Sequence, residues 1–123
     1  MSAVYSKVLI ATDGSATASA ASRVGADLAS AVGARALLLY VGDVAEGERV
    51  LRETREALGI DAETKAVAGH AADKILEIAE AEGADLIVVG NKGMSGARRF
   101  LLGSVPNQVS HNAPCNVLIV KTT

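Results

Sequence analysis

Aromatic side chains are nearly missing from this chain: two tyrosines, one phenylalanine and no tryptophan among 123 residues. The core has to be made of Ala, Val, Leu and Ile, and the stacking platforms on which single-stranded nucleic acids are held are absent. An excess of either charge is missing too. A formal net charge of −2 gives no broad basic field for DNA or RNA. The single cysteine, Cys115, excludes an internal disulfide and a cysteine zinc cluster, and fits a reducing compartment. No stretch approaches the roughly 20 apolar residues of a membrane span. The apolar run in the opening MSAVYSKVLIATDG is too short for a signal-peptide core and stops at Asp13. Together these absences point to a soluble cytoplasmic protein with neither nucleic acid nor a membrane as partner.

What is present is an alternation of short apolar runs with longer amphipathic stretches. Lys7–Thr12 (KVLIAT), Ala36–Val41 (ALLLYV), Asp85–Val89 and Asn116–Lys121 (NVLIVK) have the length and branching of buried strands. Asp61–Ala68 alternates with polar residues and reads as a strand at a sheet edge. Between them lie four helices. Ser15–Val32 has Ser15 as N-cap, Gly33 as stop, and Ala20, Val24, Leu28 and Val32 on one face. Ala45–Leu58 has Leu51, Thr54 and Leu58 inside, with Glu48/Arg52, Arg49/Glu53 and Arg52/Glu56 as a solvated charge pattern. Ala71–Glu82 carries a stripe of Ala72, Ile75, Leu76 and Ala79, and Ser104–Asn112 forms a short fourth helix. Strands separated by helices imply right-handed crossovers and a parallel sheet with helices on both faces. The chain is thus expected to be a single doubly wound α/β domain over residues 1–123 with a five-stranded parallel sheet, and shows no linker, repeat or low-complexity tract.

Sheets of this kind bind ligands beyond the carboxyl ends of their strands. Three segments stand there: Ala11-Thr12-Asp13-Gly14, Val41-Gly42-Asp43, and Gly90 onward, GNKGMSGARRFLLGS. The last has four glycines in fifteen positions. Glycine lets backbone N–H groups approach a ligand without Cβ interference. Ser104 is a natural N-cap, and Pro106 is tolerated in the first helical turn because its missing N–H is unpaired there anyway. The Ser104 hydroxyl and the Val105 N–H can face an anion at the positive helix end, with Lys92, Arg98 and Arg99 nearby in sequence. This stretch reads as a phosphate cradle rather than a mere connector, but is neither a Walker A loop nor the dinucleotide fingerprint G-x-G-x-x-G. Asp13-Gly14 has two readings: a turn with helix capping, or a carboxylate at the mouth of the site that meets adenine, ribose or a metal.

Gly90-x-x-Gly93, nine residues, then Gly103-Ser104 resembles the G-2x-G-9x-G-[ST] nucleotide motif of the universal stress protein family. KVLIATDGS resembles that family's opening, and VPNQVSHNAPCNVLIVK its closing helix and strand, so the likeness extends over essentially the whole chain. The resemblance implies a Rossmann-like sheet of order 3-2-1-4-5 and a site for ATP; Mg²⁺ could bridge the phosphates, without a dedicated all-protein metal site. By position, Ala11, Thr12 and Asp13 would meet ribose and base. Val41 would offer backbone hydrogen bonds to adenine. Gly90, Asn91, Lys92 and Gly93 would line ribose and phosphates, and Gly103, Ser104, Val105 and Pro106 would hold the phosphate tail. The GN and GSVP elements are similar to the subset described as binding cyclic AMP, so the resemblance leaves ATP and cyclic AMP both open. The family usually has a longer segment between second strand and second helix; Gly42–Glu46 is short here and leaves one wall more open.

The remaining reactive residues are assigned ordinary places. His70 is expected at a helix start, His111 in a last helical turn where a cation suits the dipole, and Cys115 as a partly buried, inert thiol. No residue spacing is that of a metal site. Function divides three ways: a nucleotide-binding regulatory protein, an enzyme acting on ATP, or a dimeric module without ligand. The only carboxylates in the site, Asp13 and Asp43, belong to its nucleoside end, which argues against efficient hydrolysis and allows slow hydrolysis at most. The apolar last strand, if it lies at an open edge, invites pairing with a second copy through Asn116–Lys121, a homodimer that the resemblance also implies.

Overall fold

A computed structural model describes residues 4–91 and 104–122. Five strands, β1 (Lys7–Ala11), β2 (Arg35–Val41), β3 (Glu63–Val67), β4 (Leu86–Gly90) and β5 (Asn116–Val120), pair in parallel in the order β3-β2-β1-β4-β5. Four helices connect them: α1 (Ala16–Val32), α2 (Val44–Leu58), α3 (Ala71–Glu82) and α4 (Ser104–Asn112). The doubly wound architecture and the strand order are those expected. The central strands are apolar throughout because they are covered twice. Leu9, Leu37, Leu39 and Ile87 face α3 and α4, whereas Val8, Ile10, Leu38 and Val88 face α1 and α2.

Where a helix lies on a flat sheet, close approach matters more than side-chain bulk, and this overturns the expected face of α1. Its buried residues are Ala18, Ala21, Ser22, Gly25, Ala26 and Ala29, while Val24 is 42% exposed. Ala20 is exposed too, and Leu28 and Val32 are half-buried. At Gly25 a Cβ would stand 2.9 Å from Ile10 Cγ1, so the helix backbone rests on the sheet itself. The same holds for α2, where Gly47, Val50 and Leu51 are buried and Thr54 and Leu58 only half so. In α3, Ile78 joins Ala72, Ile75 and Ala79 inside, and Leu76 is half-buried.

The helix ends follow their local chemistry. Ser15 accepts from the Ala18 N–H at 3.2 Å, and Gly33 stops α1 in the left-handed region at φ 73°. Arg23 of α1 donates to the Ala57 and Leu58 carbonyls at 3.0 and 3.4 Å, placing a cation at the negative end of α2. On the α2 surface Arg49 pairs with Glu53 at 3.0 Å and also with Glu46. At the amino end of the sheet, Asp85 accepts from the Ser6 and Lys7 N–H groups at 2.9 and 3.0 Å and from the Ser6 hydroxyl at 3.0 Å. Lys7 bridges Glu82 at 2.9 Å and Glu63 at 3.3 Å.

Candidate functional site

All five strands deliver their carboxyl ends to one rim, and the order reverses between β1 and β4, so the exits of these two strands flank the switch point. At the β1 exit, Thr12 is fully buried and its N–H donates to the Leu39 carbonyl at 2.9 Å. Its hydroxyl accepts from the Gly14 N–H at 3.1 Å, and Asp13 Oδ1 accepts from the Ser15 N–H at 2.9 Å. Gly14 has φ +82°, and a Cβ there would lie 3.0 Å from Val50 Cγ1. Asp13-Gly14 thus forms a turn ahead of the Ser15 cap, with the half-buried carboxylate standing at the rim.

At the β2 exit, the register pairs Ala11 with Leu39, so Val41 runs two residues past the end of β1. The Gly42 N–H turns to β3, where it donates to the Val67 carbonyl at 2.8 Å. Backbone groups alternate in direction along a strand, so the Val41 N–H and C=O turn the other way, over the end of β1 beside Thr12. Only Gly42 and Asp43 separate β2 from α2. Asp43 caps that helix, its Oδ1 accepting from the Glu46 N–H at 2.8 Å. Gly47 lies under the Tyr40 ring, where a Cβ would overlap it, and this lets α2 close directly onto β2.

At the β4 exit, Gly90 and Asn91 are buried. The Asn91 N–H donates to the Val120 carbonyl at 2.9 Å. Its side-chain Oδ1 accepts from the Thr122 N–H at 2.9 Å and from the Thr122 hydroxyl at 3.1 Å. The carboxamide oxygen thus faces the end of β5. Thr122 escapes the sequence pattern, because only the strand register brings it within hydrogen-bond reach of Asn91. α4 ends at Asn112, four residues before the amino end of β5, so its first turn points back to the carboxyl rim. There Ser104 is exposed while Val105 and Pro106 are buried. Ala11, Thr12, Asp13, Val41, Gly90, Asn91, Ser104, Val105 and Pro106 accordingly belong to one rim. Lys92, Gly93 and Gly103, with Arg98 and Arg99, lie outside the described residues.

The strongest described electrostatics lie elsewhere. At the amino end, burial pushes the Asp85 carboxyl up, but the Ser6 and Lys7 N–H groups and the Ser6 hydroxyl outweigh it and hold the group below its ordinary value. Glu82 is lowered by its hydrogen bond to Lys7 and then by Lys65. His70 sits at the N-cap of α3 without a side-chain capping bond, and Cys115 is half-buried, its thiol pushed up by burial and by Asp85. Among the described residues no three His, Cys, Asp or Glu side chains come together to hold a metal, and no helix is long and apolar enough to cross a membrane. A groove of about 430 Å³ between α2 and β3, lined by Glu48, Leu51, Arg52, Arg55, Thr64 and Ala66, includes none of the rim residues.

The strand order and its reversal define a Rossmann-like, doubly wound α/β protein with its switch point between β1 and β4. The model of the universal stress protein family matches residues 43–121. The chain belongs to that family. It is 34% identical to universal stress protein MJ0531 of Methanocaldococcus jannaschii, over 96% of this chain and 83% of that one. It is 32% identical to universal stress protein YxiE of Bacillus subtilis, over 96% of this chain and all of the other. A universal stress protein solved in complex with cAMP is 36% identical, with a TM-score of 0.85 over 99% of this chain and 100% of that one.

Proposed function

We propose that this chain binds one adenine nucleotide across the β1–β4 crevice and serves as a regulatory, stress-linked binding protein. The observation that carries this is the register that runs Val41 two residues past the end of β1 while the next residue, Gly42, bonds to β3; strand alternation then turns the Val41 main-chain donor and acceptor to the β1 side. An N–H and a C=O presented together suit the adenine edge, which offers an acceptor ring nitrogen and an amino donor. On the other side of the crevice, Gly90-Asn91 opens the G-2x-G-9x-G-S spacing that ends at the first turn of α4. That spacing favours ATP, for which Gly93, Gly103 and Ser104 would hold the phosphates at a helix N-terminus, and Mg²⁺ would supply charge neutralisation. Asp13 and Asp43 each hold a backbone N–H near the nucleoside end, which supports a binding role with at most slow hydrolysis.

A second reading, cyclic AMP, is favoured by the likeness to the structure solved with cAMP. Calorimetric titration of nucleotide-stripped protein with ATP and Mg²⁺, and separately with cyclic AMP, decides between them. Saturation near one site per chain is expected, weakened by about tenfold or more in Gly103→Val, which replaces a glycine of the G-2x-G-9x-G-S spacing. Cyclic AMP binding with little ATP affinity replaces ATP sensing by second-messenger sensing. Heat from neither ligand overturns the proposal.

A further inference from the structure

We infer that Asn91 is a positioning residue for the nucleotide site and that Thr122 acts on the site through it; this rests on the reading just proposed. In a parallel ladder, the rung after Asn91 N–H to Val120 O is Thr122 N–H to the Asn91 main-chain oxygen. Here the side chain makes that rung, Oδ1 accepting from the Thr122 N–H at 2.9 Å and from its hydroxyl at 3.1 Å. The carboxamide thereby takes the place of its own main-chain carbonyl. The sheet is closed one rung further on the β5 side, at Thr122, while the β4 backbone is left to part from the ladder at the switch point. Asn91 is 9% exposed, so this arrangement is built into the molecule rather than lying on its surface.

Only a short side chain with an acceptor can do this. Without it, either the main-chain carbonyl turns back to satisfy Thr122, or a partly buried N–H loses its partner. Both change the direction in which the chain leaves Gly90, and with it the start of the glycine spacing. The carboxamide oxygen is thus committed to β5, and residue 122, at the end of the neighbouring strand, becomes a determinant of nucleotide affinity.

The test is a double-mutant cycle read by calorimetric titration of the full chain with ATP and Mg²⁺, and with cyclic AMP. Asn91→Ala and Thr122→Pro, which removes both donors of residue 122, are each expected to weaken binding roughly tenfold, and the double variant no further than either single one. Asn91→Asp keeps the acceptor and is expected to preserve hydrogen-exchange protection of the Thr122 amide, which Asn91→Ala loses. If Thr122→Pro does not fold, Thr122→Val, which loses only the hydroxyl, is expected to give a smaller loss that vanishes in the Asn91→Ala background. Wild-type affinity in a folded Thr122→Pro or Thr122→Val variant beside a weakened Asn91→Ala overturns the inference, as do additive losses; Asn91 then touches the ligand directly. Wild-type protein that binds neither nucleotide overturns the proposed function and this inference with it. The two failures are distinct, because the first occurs with wild-type binding intact.

Discussion

Gly25 acts by having no side chain. It lies in the middle of α1, where glycine costs about 1 kcal/mol relative to alanine in a helix. The compensation is contact. A Cβ would meet Ile10 Cγ1 at 2.9 Å and Val88 Cγ1 at 3.2 Å, so α1 sits against β1 and β4 at a distance only glycine permits. Gly25→Val adds volume that neither fully buried neighbour can yield to. It is expected to lower stability by about 1–3 kcal/mol, measured by urea denaturation at constant slope. An unchanged midpoint would mean that α1 can lift from the sheet without loss, and the close approach would then contribute nothing.

Between elements, the joint with the clearest electrostatic signature is Asp85. Its carboxylate takes two N–H groups and a hydroxyl from Ser6 and Lys7, pinning the start of β1 to the start of β4. Asp85→Ala removes the acceptor from all three and is expected to cost about 1.5–2 kcal/mol, the lower part of the range for bonds to a charged group because the site is only part-buried. Asp85 and Glu82 both have folded-state pKa values below their ordinary ones. A depressed carboxylate contributes its stabilisation above the unfolded value, near 4, and loses it as pH falls through the folded value. Stability is therefore expected to be level from pH 7 to about 5 and to decline below about 4, with a shallower decline in Asp85→Ala. An acid limb identical in wild type and variant would remove Asp85 from the account. The elements that this joint ties were legible in the sequence, because unbroken runs such as VLIA and LIVV declare strands covered on both faces. The buried face of α1 was not. Helical periodicity selects the bulky Val24 and Leu28, whereas packing on a sheet selects Ala21, Gly25 and Ala29. For the candidate site, the three rim segments follow from strand polarity alone. The commitment of Asn91 to Thr122 depends on a register between β4 and β5 that no local pattern encodes.

The two edges of the sheet are unlike, and this bears on what the whole molecule does in solution. The β3 edge, ETKAV, places exposed Glu63 and Lys65 on its rim, and Lys65 is tied to Glu82 at 3.4 Å. Charge on an edge strand discourages pairing with another chain. The β5 edge, NVLIV, carries no charge, and its four apolar residues are all half-buried, where every residue of neighbouring β4 is buried. Apolar side chains left half-covered beside an open row of backbone groups are a surface that a second copy of the same strand would complete. About a two-fold axis such strands meet antiparallel and join the two sheets into one. Because the Val120 carbonyl accepts from Asn91, Val120 faces β4, and Val117 and Ile119 turn their backbone groups outward. Ile119→Pro should therefore remove an outward N–H without breaking a rung to β4. Sedimentation is expected to find a dimer for the wild type and a folded monomer for Ile119→Pro, and Val117→Lys should shift the balance the same way by placing charge at the edge. A wild-type monomer at micromolar concentration, or an Ile119→Pro variant as dimeric as its parent, would show that β5 is not the joining edge.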